Sequence, residues 1–163
     1  MILSAKFLKK HPLVDYGVVY GHHEGEEKKG VVWVRLNANE NNDVFLGSMH
    51  GEWNENYGGY DNEKNIEAIK KFFRLKNRDD GRKNVHFVLL GDFNSSFEKI
   101  RDLSTKFQFR MEKHPMKTST SDGQSPDHYA VSKNVRVKSE PTLCVNEKYD
   151  HKWLENMEFV ILN

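Results

Sequence analysis

Apolar and polar positions divide the chain into short runs separated by turn-forming stretches. Leu13–Tyr20 is apolar and rich in Val and Tyr, and residues 31–36 form a second such run. Between them lies a polar stretch bounded by Gly21 and Gly30, so the pattern predicts two strands joined by a long exposed loop. Residues 44–49 are a third strand candidate, after an Asn-rich turn at 37–43. The clearest helix is predicted over 61–76, where Ile66, Ile69, Phe72 and Phe73 recur at helical spacing among Lys, Glu and Arg. Asp61 or Asn62 can cap it, and Asp79-Asp80-Gly81 ends it.

Residues 85–90, Val-His-Phe-Val-Leu-Leu, are nearly all apolar, which predicts a strand covered on both faces. Phe97–Phe107 fits a short helix, and residues 113–126 read as loop. Asp127–Ser132, 135–138 and 158–162 are further strands. Strands dominate and helices cover their faces, an α/β or α+β pattern.

Length and composition narrow the picture. A chain of 163 residues predicts a single domain over 1–163, and 19 aromatic residues suffice for a packed core. No apolar run nears the roughly 18 residues of a membrane span, and no signal peptide is visible at the start. Cys144 stands alone, which excludes an internal disulfide framework. A cytoplasmic or otherwise intracellular location is the resulting expectation. The net charge of +1 argues against a histone-like polycation. Residues 1–68 nevertheless hold 7 Lys/Arg against 11 Asp/Glu, and residues 69–163 hold 18 against 13. The basic run from Lys70 to Lys83 reads as a solvated helix face or, more sharply, as a phosphate-facing surface.

Candidate chemistry begins at Gly91-Asp92-Phe93-Asn94, directly after the buried strand. A carboxylate and a carboxamide two residues apart put two oxygen ligands on one side of the chain, which suits a hard cation such as Mg²⁺. The same four residues are also good turn formers. Asp127-His128 opens a strand, Asp150-His151 precedes the last one, and His50 ends the third strand beside Gly51. An Asp beside a His supplies a metal ligand and a proton-transfer group within a few ångströms. Strand alternation should turn His128 to the face opposite Asp127. Weaker candidates are His22-His23-Glu24 as a metal site and the aromatic loop of Trp53, Tyr57 and Tyr60, which could stack on bases or lipid head groups. Cys144 reads as a core residue.

Taken in order, His50, the amphipathic helix, Gly91-Asp92-Phe93-Asn94, Asp127 and Asp150-His151 resemble the endonuclease/exonuclease/phosphatase superfamily, the DNase I-like proteins. The opening Ile2-Leu3-Ser4-Ala5-Lys6 with Pro12 is similar to a segment well inside that family's domain. The resemblance covers nearly the whole chain and the later part of the family's domain. It implies a DNase I-like β-sandwich flanked by helices, N-terminally incomplete. It also implies that Asp92 contacts the metal or the attacking water, and that Asn94 stabilises the scissile phosphate as a neutral donor. Asp150 would be a metal ligand, His151 an acid/base or electrostatic group, and Asp127 the residue that orients His151. His50 would face the phosphate, and the cofactor would be Mg²⁺ or Mn²⁺.

The departures are as informative. The family's early Asn and its metal-binding Glu have no counterpart here, and the pattern assigns neither Glu52 nor Glu55 to that Glu. The final motif reads Tyr149-Asp150-His151, where the family has Ser before the Asp. A sandwich short of strands should expose a sheet edge or face. Three origins are open: a fragment of a longer protein, a homologue completed by a partner chain or by self-association, or a degenerate member. The expected function is a divalent-metal-dependent phosphoester hydrolase, first of all a nuclease acting on nucleic-acid phosphodiesters. The alternatives are a phosphatase- or sphingomyelinase-type hydrolase, and a catalytically impaired or non-catalytic binding module.

Overall fold

The computed structural model describes residues 5–21, 29–52, 63–75, 83–94, 97–113, 127–139, 142–144, 153–155 and 158–162. In chain order the elements are α1 (Ala5–Lys10), β1 (Leu13–Tyr20), β2 (Gly30–Asn39), β3 (Asn42–His50) and α2 (Glu63–Phe73). There follow β4 (Asn84–Asp92), α3 (Phe97–Phe107), β5 (Phe109–Lys113), β6 (Asp127–Ser132) and β7 (Val135–Ser139). The last are β8 (Thr142–Cys144), β9 (Trp153–Glu155) and β10 (Glu158–Ile161).

The main sheet has six strands in the order β1-β2-β3-β4-β6-β5. Among the described strands only β3 and β4 pair in parallel, and α2 lies in the crossover between them. β7 pairs with β10 and β8 with β9, each as a two-stranded sheet. The predicted helices at α2 and α3 and the predicted strands at β1, β2, β3, β4, β6, β7 and β10 are all present. α1, β5, β8 and β9 were not anticipated.

Period-two alternation decides what each strand face meets. Odd-numbered residues of β3 and β4, such as Phe45, Phe87 and Leu89, pack against Ile69, Phe72 and Phe73 of α2 and Ile100 of α3. Phe87 stacks on Phe45 with centroids 5.1 Å apart and meets Phe72 edge-on at 5.4 Å. Even-numbered residues of β4 and odd-numbered residues of β6, Val88, Tyr129 and Val131, form a second cluster under Val135, Val137 and Phe159 of the β7–β10 pair. As predicted, β4 is covered on both faces.

That second face is only partly covered. Tyr16, Val18 and Val32 are 73%, 44% and 53% exposed on its β1–β2 half. A groove of about 700 Å³ runs between the sheet and β10, lined by Phe7, Leu46, Val88, Leu90 and Phe159 among others. β1 is also an edge strand with a free outer side among the described residues. The exposed sheet face and edge expected from the sequence are therefore present. No helix among the described residues is long and apolar enough to cross a membrane.

Candidate active site at the ends of three central strands

β3 ends at His50, β4 ends at Asp92, and β6 opens at Asp127. Register places His50 opposite Asp92 and Asp92 opposite Asp127. The three residues thus form one cross-strand row over three adjacent strands. Paired positions project to the same face, here the face that carries Leu46, Leu90 and Tyr129. His50 is exposed, Asp92 is half-buried and Asp127 is buried.

Gly91 turns the chain at this end of the sheet. Its φ of 131° lies in the region that glycine tolerates and side chains avoid. A Cβ there would collide with the carbonyl oxygen of Met49 on the neighbouring strand. Gly91→Ala is accordingly expected to lower folding stability by about 3 kcal/mol, read as a reduced urea midpoint.

The turn that follows is held by its own polar groups. Asn94 takes φ 40°, a left-handed conformation for which Asn is suited. Its backbone N–H donates to Asp92 Oδ1 at 2.8 Å, and its Nδ2 donates to Asp92 Oδ2 at 3.0 Å and to Gly51 O at 3.0 Å. Both carboxylate oxygens of Asp92 are therefore oriented by Asn94. Gly51 N donates to Asp92 O at 2.8 Å, which closes the strand ends of β3 and β4 together. As placed, both amide hydrogens of Asn94 are engaged, one within the turn at Asp92 and one across to Gly51 past the end of β3. To donate to a phosphate, Asn94 would have to release Gly51 O or Asp92.

Asn65, in the first turn of α2, was not singled out from the sequence. It is 3% exposed. Its Oδ1 accepts from Glu52 N at 2.7 Å, and its Nδ2 donates to Glu52 O at 2.9 Å and Asn94 O at 3.0 Å. The sequence did carry a signal: Asn65 sits four residues before Ile69 and seven before Phe72, a polar residue in the apolar stripe. Glu52 ion-pairs with Lys64 at 3.2 Å.

The other sequence candidates fall as follows. His128 is 1% exposed and lies edge-on to Phe93 and Phe97, with ring centroids 5.8 and 5.6 Å away. It faces the helix layer, opposite the Asp127 row, as alternation required. Asp150 and His151 lie outside the described residues, as do His22, His23, Glu24, Trp53, Glu55, Tyr57 and Tyr60. Cys144 belongs to β8, and its side chain is outside the described set.

The described cations of the basic run make local contacts. Lys70 and Arg74 pair with Glu67 at 3.8 and 3.6 Å. Lys71 Nζ donates to the carbonyls of Tyr20 and Gly21. Lys83 joins Arg35 around the buried Asp43, at the opposite end of the sheet from His50 and Asp92.

Among the described residues no three His, Cys, Asp or Glu side chains gather as a metal cage. Asp92 contributes a single hard-oxygen ligand, which is compatible with Mg²⁺ because that ion keeps several waters and takes one or two carboxylates.

No family model matches the sequence, and no curated protein does. Solved structures do match. The human Nocturnin catalytic domain with bound sulfate superposes with a TM-score of 0.68 at 15% identity, over 93% of this chain and 61% of that one. An endonuclease/exonuclease/phosphatase from Beutenbergia cavernae gives 0.65 at 17%, over 93% and 46%. A mannosyl-6-phosphatase from Bacteroides thetaiotaomicron gives 0.63 at 16%, over 94% and 68%. The chain thus spans about half to two thirds of the structures it resembles. Its fold is the DNase I-like α/β fold of the endonuclease/exonuclease/phosphatase superfamily.

Proposed function

We propose that the chain is a divalent-metal-dependent phosphoester hydrolase, with nucleic-acid phosphodiesters as the first substrate class. The observation that carries this reading is the row of His50, Asp92 and Asp127 on adjacent strands, with Asn94 bracing Asp92. The folds it resembles include a mannosyl-6-phosphatase and an endonuclease/exonuclease/phosphatase, which supports phosphoester chemistry as the class.

In this reading Asp92 and Asp150 would hold Mg²⁺ or Mn²⁺, which when bound would polarise a phosphoryl oxygen and offset the charge that develops there. Asp92 enters the reaction already oriented, so little rearrangement precedes bond making. Asp127 would orient His151, keeping it available for proton transfer. His50, exposed at the end of β3, faces the same opening and donates to a phosphate oxygen.

The test is incubation of the chain with Mg²⁺ or Mn²⁺ and plasmid DNA, with Asp92→Ala as the control. Nicking lost in the control supports the reading. Equal nicking by both proteins overturns it. Hydrolysis of p-nitrophenyl phosphate without nicking moves the substrate class to phosphomonoesters.

The reading retains the expectation of a partner chain or of self-association. Its support is the exposed apolar face at Tyr16, Val18 and Val32 beside the edge strand β1. Such a face favours association. Sedimentation velocity is expected to show concentration-dependent self-association that Tyr16→Lys with Val32→Lys reduces. A monomer at all concentrations, unchanged by the substitutions, contradicts it.

A further inference from the structure

We propose that Asn65 is the positioning residue of the site, fixing Asp92 by tying α2 to the ends of both β3 and β4. The inference rests on the reading of Asp92 as a working carboxylate, but its geometry stands apart from any activity.

A carboxamide offers two N–H donors and an acceptor oxygen. Asn65 spends both donors and its oxygen on backbone groups, at Glu52 N, Glu52 O and Asn94 O. Glu52 lies two residues beyond His50, and Asn94 two beyond Asp92. One buried side chain therefore sets the path of the chain just past two candidate site residues.

The link to Asp92 is short. Asn65 holds the carbonyl of Asn94, and Asn94 holds both oxygens of Asp92 through its N–H and its Nδ2. The remaining hydrogen of Asn94 Nδ2 goes to Gly51 O, next to the other residue that Asn65 holds. The result is a closed circuit: Asn65, Asn94, Gly51, Glu52 and back to Asn65. Lys64 of the same helix reaches Glu52 as well, through its carboxylate at 3.2 Å, while Asn65 alone of the two is buried and bonds the backbone. The space is tight as well, since a Cβ on Gly51 would come within 2.9 Å of Asn65 Nδ2.

Substitution should separate shape from hydrogen bonding. Asn65→Ala removes all three bonds. Asn65→Asp keeps the shape and the acceptor for Glu52 N, but it turns carboxylate oxygen toward two carbonyl oxygens, which repel it. If hydrogen bonding positions the site, Asp does not rescue. Ile69→Val, four residues along the same helix and buried in the core, is the control for simple loss of stability.

The first measurement is native-state amide hydrogen exchange at Asn94, whose N–H is bonded to Asp92 rather than to Asn65. Asn65→Ala and Asn65→Asp are expected to speed it about tenfold or more, while Ile69→Val leaves it within about twofold after correction for global stability. The second is Mn²⁺-supported hydrolysis of bis(p-nitrophenyl) phosphate. Both Asn65 variants are expected to lose about 10- to 100-fold in kcat with KM within about threefold, and Ile69→Val to keep its kcat.

Unchanged exchange at Asn94 in Asn65→Ala overturns the proposal, whatever the activity. So does a kcat in Asn65→Ala that matches that of Ile69→Val. Faster exchange at Asn94 in a chain whose wild type hydrolyses nothing upholds the positioning role and overturns the hydrolase reading. The two failures are thereby distinguishable.

Discussion

Asp92→Ala is expected to lower metal-supported phosphodiester cleavage by at least about 1,000-fold, measured as initial rates against the unsubstituted chain. The reasoning starts from how strictly this carboxylate is held. Each of its oxygens receives a hydrogen bond from Asn94, one from the backbone and one from the side chain, at 2.8 and 3.0 Å. Its neighbours across the sheet are His50 and Asp127, the other two described members of the row. A group oriented in advance contributes most when charge develops beside it, so its removal falls mainly on kcat. Asp92→Asn is expected to be nearly as damaging. It keeps the volume, loses the charge, and presents an N–H₂ to one of the two donors of Asn94. Removing the acceptors in Asp92→Ala also leaves the Asn94 N–H and one hydrogen of its Nδ2 without a partner, at a cost of about 1–3 kcal/mol. The assay therefore runs well below the unfolding midpoint of the variant. A loss smaller than about tenfold would contradict the assignment of Asp92 to the reacting centre.

Phe87→Ala is expected to be the most destabilising single change in the core, at about 3–5 kcal/mol from urea unfolding. Phe87 is 3% exposed in the middle of β4. Its ring stacks on Phe45 at 5.1 Å and touches Phe72 and Phe73 of α2, each at 5.4 Å. Phe73 in turn stacks on Phe109 of β5 at 4.4 Å. One ring therefore joins two central strands to the helix that carries Asn65. Rigid aromatic neighbours collapse poorly into the vacated space, so a cavity term adds to the lost transfer energy. A cost below about 1 kcal/mol would mean that the layer is loosely packed.

Much of this organisation could be read in the sequence, for physical reasons that differ between elements. β4 announced itself because a strand covered on both faces must be apolar throughout, and residues 85–90 are nearly so. α2 was legible from Ile66, Ile69, Phe72 and Phe73, although residues 61–62 and 76 of the predicted span lie outside the described set. β5 escaped notice although Phe109 and Met111 alternate with Arg110 and Glu112, because five residues following a helix carry too weak a period. α1, with no buried residue, has no core-facing stripe to find.

His50, Asp92, Asn94 and Asp127 were singled out by their residue types at strand ends and by the family resemblance, and the structure brings them to one end of the sheet. Their row across three strands depends on register, which no short motif encodes. Asn65 was missed because its role is to satisfy backbone groups that are distant in sequence: Glu52 is 13 residues away and Asn94 is 29. The contacts of the basic run were hidden for a related reason. Its partners, Glu67, Asp43 and two backbone carbonyls, are apparent only once the chain is folded.

The central claim of the proposal is that a divalent cation binds at Asp92, beside the ends of β3 and β6. Titration of the ¹⁵N-labelled chain with substoichiometric Mn²⁺ tests it most directly, because the ion broadens amide signals near where it binds. The account predicts early loss of the amides of residues 50–52, 92–94 and 127, and sharp signals around Asp43 at the far end of the same sheet. Broadening that begins around Asp43, or that spreads evenly over the surface carboxylates, would contradict it.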